Sequence, residues 1–261
     1  MRLAIAGAGG RMGQALIESV RADDRFTLAA ALDVAGSPAL GRDVGVVIGT
    51  DVDQAVGVSD VLIDFTRPAG TLAHLAACAR HGVGAVVGTT GLDESDKRAL
   101  RDFGNEIPIV FAANMSVGVN VLLSLVEDAA RALGTGFDIE IVEMHHKHKV
   151  DAPSGTALRL GEAAAAGLGR KLDEIAVPAR HGITGERKAG SIGFAALRGG
   201  DVVGEHTVLF ACEGERIEIT HRATSRKLFV AGALRAAEFV AVKRSRGEVG
   251  VFDMPDVLGL R

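Results

Sequence analysis

The run Glu143-Met144-His145-His146-Lys147-His148-Lys149-Val150-Asp151-Ala152-Pro153-Ser154-Gly155-Thr156 gathers three histidines, two lysines and two carboxylates beside a Ser-Gly-Thr turn. Imidazole can donate a proton near neutral pH, and the adjacent ammonium groups attract carboxylates. Ser154, Gly155 and Thr156 open a helix-like segment, so they offer hydroxyls and free backbone N–H groups, a ready anion site. Such a set fits a site that binds a small polyanion and delivers a proton. A polar loop whose charges serve only solvation and a metal site are the competing readings. The His-His-x-His spacing matches no zinc pattern and the flanking lysines repel a cation, so no metal is expected.

A second chemical motif lies near the N-terminus. Gly7-Ala8-Gly9-Gly10-Arg11-Met12-Gly13 follows an apolar run and precedes a helical one. Glycine lets a tight turn take positive φ and lets phosphates approach the backbone, while the following helix aims free N–H groups at them. The spacing G-x-G-x-x-G is not met, but Gly7, Gly10 and Gly13 give G-x-x-G-x-x-G. Asp33 ends the next apolar run, where an acidic residue accepts hydrogen bonds from adenosine ribose hydroxyls and repels a 2′-phosphate. Val34 follows it, so no adjacent arginine welcomes that phosphate, although Arg11 could partly compensate. NADH is therefore expected to serve at least as well as NADPH.

The elements that must position these residues are legible from periodicity. Strands are expected at 3–6, 27–32, 61–65, 83–87 and 107–111, alternating with helices at 12–20, 71–80 and 93–103. Residues 36–57 are glycine-rich and read as loop, with a short strand at 46–48. This alternation predicts an α/β fold with a Rossmann-like, doubly wound parallel sheet. The polar segments 7–13, 66–68, 88–91 and 112–115 all follow strand ends and would face one crevice. The pattern then changes to a helix at 119–133, a half-buried strand at 138–143 and a helix at 156–166 with Gly161 a weak point. Strand-like runs follow at 193–197, 206–210 and 216–220, then a helix at 228–242. This is a second α+β domain with an open, mostly antiparallel sheet. The run Lys243-Arg244-Ser245-Arg246 reads as a solvated helix end.

The totals exclude several classes. The chain has 261 residues and a net charge of −4, so no bulk basic character points to nucleic acid. It has no Trp or Tyr to stack bases. Cys78 and Cys212 show neither metal-ligand spacing nor a disulfide framework and read as buried reduced thiols. No stretch reaches the roughly 18 apolar residues of a membrane span, and the N-terminus lacks a signal-peptide core. A soluble cytoplasmic protein is expected, with no membrane partner.

Asp64-Phe65-Thr66-Arg67-Pro68, Gly88-Thr89-Thr90-Gly91, Ala113-Asn114-Met115-Ser116-Val117-Gly118-Val119-Asn120, Thr184-Gly185-Glu186-Arg187, Gly204-Glu205-His206-Thr207 and Ile219-Thr220-His221-Arg222 accompany the two motifs above. In all of these the chain resembles the 4-hydroxy-tetrahydrodipicolinate reductase family, long called dihydrodipicolinate reductases, of bacterial lysine and diaminopimelate synthesis. The resemblance spans nearly the whole chain. It implies hydride transfer from NADH or NADPH to C4 of a cyclic dicarboxylate, with loss of its hydroxyl as water. It makes His145 the proton donor and Lys149 a second catalytic residue that also attracts substrate. His146, Gly155 and Thr156 match substrate-binding positions, joining Ser154 of the anion site. Gly7, Ala8, Gly9, Gly10, Arg11, Met12, Asp33, Gly88, Thr89, Thr90, Ala112, Ala113, Asn114 and Met115 match cofactor-contacting positions.

The resemblance further implies a dinucleotide-binding domain of residues 1–115 and 226–261 and a substrate-binding and oligomerisation domain of residues 116–225. Hinges would fall near Met115 and Ser225, and the second domain's sheets would build a homotetramer. The family often carries arginine after the acidic residue where this chain has Asp33-Val34, and an aromatic residue where it has Met115, whose flexible side chain can fill such a gap. Two rival readings share some of these features. Another two-domain dehydrogenase would carry the glycine loop but has no reason to carry the His/Lys run. A regulator sensing NADH would need a DNA-binding helix pair and a basic face, and no segment is spare for one.

Overall fold

The computed structural model describes residues 1–225 and 227–260. The chain divides into two compact units, one of Met1–Ser116 with Lys227–Gly259 and the other of residues 117–225. Of the segment 226–261 expected in the first domain, Arg226 and Arg261 lie outside the described residues. In chain order the first unit holds β1 (Arg2–Ala6), α1 (Arg11–Arg21), β2 (Thr27–Leu32), β3 (Ile48–Gly49), α2 (Val52–Gly57), β4 (Val61–Asp64), α3 (Pro68–His81), β5 (Gly84–Val87), α4 (Glu94–Phe103) and β6 (Pro108–Phe111). The second unit holds α5 (Val117–Leu133), β7 (Asp138–His145), α6 (Gly155–Gly167), α7 (Leu172–Ile175), β8 (Ala176–Val177), β9 (Ile192–Arg198), β10 (Gly204–Cys212) and β11 (Glu215–Ala223). The chain then returns to the first unit with α8 (Lys227–Ser245), β12 (Gly250–Phe252) and α9 (Met254–Leu258).

In the first unit the strands run parallel in the order β12-β6-β5-β4-β1-β2-β3. The central strands β1, β4 and β5 are apolar and almost wholly buried, as strands covered on both faces must be. The order reverses between β1 and β4, and at such a switch the loops leaving the two strands diverge to opposite faces and open a crevice. Pro68 opens α3, and Gly82 in the left-handed region (φ +61°) closes it. In this unit three elements went unrecognised from periodicity. α2 sits inside the expected 36–57 loop, where Asp51 accepts from Gln54 N–H and caps it. β12 and α9 follow α8 and are too short to show a period.

The basic run at the end of α8 leaves Ser245 and Arg246 exposed, but its first two residues are engaged by the protein. Arg244 donates to the Gly82 and Asp60 carbonyls, and Lys243 lies over the Phe239 and Phe252 rings and pairs with Glu248. Of the cysteines, Cys78 is buried and Cys212 only partly so.

The second unit's sheet has the order β11-β10-β7-β9-β8. It is mixed: β10 pairs antiparallel with β11 over nine residue pairs and with β7 over seven, while β7–β9, over seven, and β9–β8, over two, are parallel. Along β7 and β10 burial alternates residue by residue. The inward positions Ile139, Ile141, Val208 and Phe210 pack with Leu122 and Val126 of α5 and Leu160 of α6 into one core. Gly161 has a packing role and is no weak point in α6, because a Cβ there would meet Phe194 Cζ at 2.6 Å. Among the described residues no helix is long and apolar enough to cross a membrane.

Candidate active site

The glycine loop has the shape a pyrophosphate needs. Gly7 takes φ +76°, its carbonyl accepts from Gly10 N–H at 2.9 Å, and α1 starts at Arg11 with its first amides unshared. Side chains are excluded where the backbone crowds. A Cβ on Gly13 would lie 2.1 Å from the Gly7 carbonyl oxygen, and one on Gly9 would lie 2.5 Å from Asp33 Oδ2. Asp33 is fixed in place by accepting from Gly9 N–H at 2.7 Å and from Val34 N–H at 2.8 Å. Its oxygens keep further lone pairs for ribose hydroxyls. Val34 is 73% exposed, so no cation stands beside Asp33 at that position. These residues fit a dinucleotide.

Behind the loop lies a polar cluster that the motifs alone did not reveal. Asp64, at the carboxyl end of β4, is 1% exposed. It accepts from Thr66 N–H at 2.8 Å, Thr66 Oγ1 at 2.6 Å and Thr89 Oγ1 at 3.4 Å, and His74 Nδ1 lies 2.8 Å away. A carboxylate only accepts, so His74 carries its proton on Nδ1. Thr71 Oγ1 bridges to Thr89 Oγ1 at 2.7 Å. Thr66 Cγ2 in turn lies 3.1 Å from where a Gly7 Cβ would stand. One buried carboxylate thus holds residues of the loops after β4 and β5 together beside the glycine loop. Gly88 packs on Phe65, whose ring a Cβ would strike at 2.1 Å. Thr89 is buried, while Thr90 and Ala113 are exposed and Asn114 half-buried. Met115 is 1% exposed, and its carbonyl packs so closely on α8 that a Cβ at Gly232 would lie 1.7 Å away.

The His/Lys run is placed by the second unit's sheet. On β7 the inward positions read Ile139, Ile141, Glu143, His145, and on β10, running the other way, Phe210, Val208, His206, Gly204. His206 pairs directly with Glu143, and Arg198 on β9 pairs with His145. The core face therefore turns from apolar to polar at one end of adjacent strands. His145 is the last residue of β7, which extends two residues beyond the expected end at Glu143.

Glu143 is 1% exposed and fully occupied as an acceptor. Arg198 grips it with both Nη atoms at 2.8 Å, Ser154 N–H donates at 3.1 Å, and His145 Nδ1 lies 2.6 Å away. Burial raises the Glu143 carboxyl, but Arg198 and His145 outweigh it and hold it below the usual carboxylate range. His145 Nδ1 must donate, which leaves Nε2 for a ligand. Gly204 flanks that nitrogen, and a Cβ there would lie 3.0 Å from it. Burial, then repulsion by His145, pushes the His206 imidazole down to about 4, so it is neutral near pH 7. Its Nε2 lies 3.1 Å from Ser154 Oγ, and its ring meets His145 edge-on at 5.1 Å.

Ser154 caps α6 by accepting from Ala157 N–H at 3.2 Å, which leaves Gly155 and Thr156 in the first turn of a 13-residue helix. Lys149 Nζ donates to both Asp151 oxygens at 2.8 Å and is half-buried. His146 stacks obliquely on His148 at 6.2 Å, and Lys147 is exposed. Ser154 and His145 thus meet through Glu143, and Lys149 joins them because Arg198 also donates to the Asp151 carbonyl at 2.6 Å. Glu143 lay within the run, but Arg198 and His206 were missed. Their signal was a charged or imidazole side chain at an inward strand position. Among the described residues no group of His, Cys, Asp and Glu is arranged to hold a metal.

A Rossmann-type sheet with a phosphate loop, followed by a unit whose core face ends in an imidazole, a lysine and an anion-binding helix start, defines a nicotinamide-dependent oxidoreductase. Comparison with known proteins narrows the class. Residues 1–115 match the model of the dihydrodipicolinate reductase N-terminus and residues 118–258 that of its C-terminus. The chain is 57% identical to the 4-hydroxy-tetrahydrodipicolinate reductases of Burkholderia pseudomallei (strain 668) and Cupriavidus metallidurans, over the whole of both chains in each case. In structure it is similar to a dipicolinate-bound dihydrodipicolinate reductase from Paenisporosarcina sp. TG-14, with a TM-score of 0.76 over 97% of each chain at 24% identity. The chain belongs to the dihydrodipicolinate reductase family.

Proposed function

We propose that this protein reduces 4-hydroxy-tetrahydrodipicolinate to tetrahydrodipicolinate with NADH or NADPH, in lysine and diaminopimelate synthesis. The observation that carries this reading is the His145–Glu143 pair, which engages the imidazole at Nδ1 and is tied through Glu143 to Ser154 at the start of α6 and through Arg198 and Asp151 to Lys149. When bound, the reduced nicotinamide supplies the hydride. The glycine loop and the α1 amides would hold the pyrophosphate, Asp33 the adenosine ribose, and Gly88, Thr89, Thr90, Ala112, Ala113, Asn114 and Met115 the remaining contacts. Lys149, His146 and the Gly155–Thr156 amides neutralise the two substrate carboxylates, as a dicarboxylate requires. The C4 hydroxyl leaves as water with a proton from the adjacent ring carbon, which forms the conjugated imine, and a hydride supplied at C4 by the bound cofactor would then place negative charge on the far atom of that imine. His145 gives that atom the proton on Nε2. Lys149 turns from Asp151 to the incoming carboxylate. The structural relative that carries dipicolinate, a planar cyclic dicarboxylate, supports the substrate class.

The reading includes a dinucleotide-binding first unit, a substrate-binding second unit and a homotetramer built through the sheet face that α5 and α6 leave open. On that face Val142, Met144 and Leu209 are only half-buried and Leu197 is exposed. It also includes a cytoplasmic setting, which suits Cys78: burial and then Asp64 push its thiol up to about 12, leaving it inert. No nucleic acid or membrane takes part.

A coupled assay tests the function. Pyruvate, aspartate semialdehyde and the upstream synthase generate the substrate in place while loss of reduced-nicotinamide absorbance is followed. Synthase-dependent oxidation, with NADH at least as fast as NADPH, is the expected result. No oxidation with either cofactor, from folded protein that binds NADH, would contradict it.

A further inference from the structure

The side chains of the second unit that face inward at the polar end of its sheet include two, Glu143 and Arg198, to which the proposed chemistry gives no task. Both are largely committed within the protein: Glu143 accepts from four donors, and Arg198 spends one Nη atom on Glu143 and the Leu197 carbonyl and the other on Glu143 and the Asp151 carbonyl. A buried carboxylate is costly unless its partners are fixed. A structural role alone would be served as well by apolar residues continuing the Ile139–Ile141 row. What the pair does accomplish is geometric. It anchors β7, β9, the start of α6 and the backbone of the loop that carries Lys149, and it meets His145 at one ring nitrogen only.

We propose that Glu143 and Arg198 form a positioning pair for the proton donor, with Glu143 fixing the His145 ring so that Nδ1 always keeps its proton and Nε2 alone exchanges. The inference rests on His145 being that donor. In the step, the Nε2–H bond breaks, its electron pair returns to the ring, and the proton passes to the substrate atom gaining charge. The ring is left neutral with its remaining proton on Nδ1, held by Glu143, and solvent restores the Nε2 proton. Glu143 stays a carboxylate throughout, stabilising the imidazolium as a buried acid does in a catalytic triad. Arg198 keeps Glu143 ionised and aimed, and its grip on the Asp151 carbonyl ties the Lys149 loop to the same anchor. The absence of a Cβ at Gly204 leaves the Nε2 edge approachable.

A double-mutant cycle tests this. Glu143→Gln is expected to lower kcat about a hundredfold while the substrate KM and the NADH Kd stay within about twofold, the split that loss of general-acid function produces. The cycle with His145→Gln is expected to be non-additive, the double variant being no slower than His145→Gln alone. Independent, multiplying losses would overturn the positioning role while leaving His145 as donor. A near-wild-type His145→Gln would instead overturn the donor assignment on which it rests. The wild-type protein gives a second reading that no folding defect can spoil. Long-range nitrogen–proton NMR correlation of the His145 ring is expected to show Nδ1 protonated whether the ring is neutral or charged. A neutral ring protonated at Nε2 would refute the proposal.

Discussion

Each unit buries one carboxylate almost completely at a strand end and sets a histidine Nδ1 against it, Asp64 with His74 in the first and Glu143 with His145 in the second. The resemblance stops at the other partners. Around Asp64 they are the amide and hydroxyl of Thr66 and the hydroxyl of Thr89, with no guanidinium or ammonium among its hydrogen-bond donors in the described residues. Around Glu143 they are a bidentate arginine and a helix-start amide. Hydroxyls can rotate and relay, so the Asp64 cluster suits holding loops together around a ligand that comes and goes. A guanidinium fork fixes a carboxylate in one orientation, which suits holding a proton on one atom. On the proposed function, the same dyad would serve as scaffold in one place and as the mount of an acid in the other.

Breaking the first region at its tightest point should have the largest effect. Gly13→Ala places a Cβ 2.1 Å from the Gly7 carbonyl oxygen, and the loop must move. NADH affinity is expected to fall about a hundredfold, as loss of several phosphate-directed amides implies. Calorimetric titration giving wild-type affinity would mean that the loop is not the pyrophosphate cradle.

The scaffold role of Asp64 predicts a different split from that of Glu143. Asp64→Asn keeps one acceptor oxygen but removes the charge that gathers Thr66, Thr89 and His74. It is expected to weaken NADH about tenfold while leaving kcat at saturating cofactor near wild type. If kcat falls and the NADH KM does not, the two carboxylates have been given the wrong tasks.

The smallest effect distinguishes the buried histidines by pH. His206 has its pKa lowered from 6.5 to about 4 in the folded state. Between those values the unfolded chain binds more protons, so stability rises with pH and is lost as pH falls below 6.5 towards 4. From pH 7 to 5.5 this one group should cost about 1 kcal/mol of unfolding free energy. His206→Gln should flatten the urea-denaturation stability profile by that amount. An unchanged slope would mean that His206 is protonated in the folded protein.

Much of the fold was legible because its rules are local. Alternating apolar runs and helical periods gave the Rossmann-like sheet, and Thr27–Leu32 was bounded to the residue. What escaped was too short for a period, as α2, β12 and α9 were, or depended on pairing across the sheet. The His/Lys run announced itself by composition, but Arg198 lies 55 residues from Glu143 and reaches it only because β7 and β9 are neighbours. His74 looked like an ordinary helix residue until α3 set it against β4. The packing of the Met115 carbonyl against Gly232 follows from the close approach of α8, which no motif encodes.

The central claim is that His145 delivers the proton in a nicotinamide-dependent reduction, and His145→Gln tests it most directly. In the coupled assay, turnover at saturating substrate is expected to fall at least about a hundredfold, with NADH binding and the thermal unfolding transition unchanged. Turnover within a few-fold of wild type would place the proton elsewhere and leave the polar end of the second unit's sheet without its chemistry.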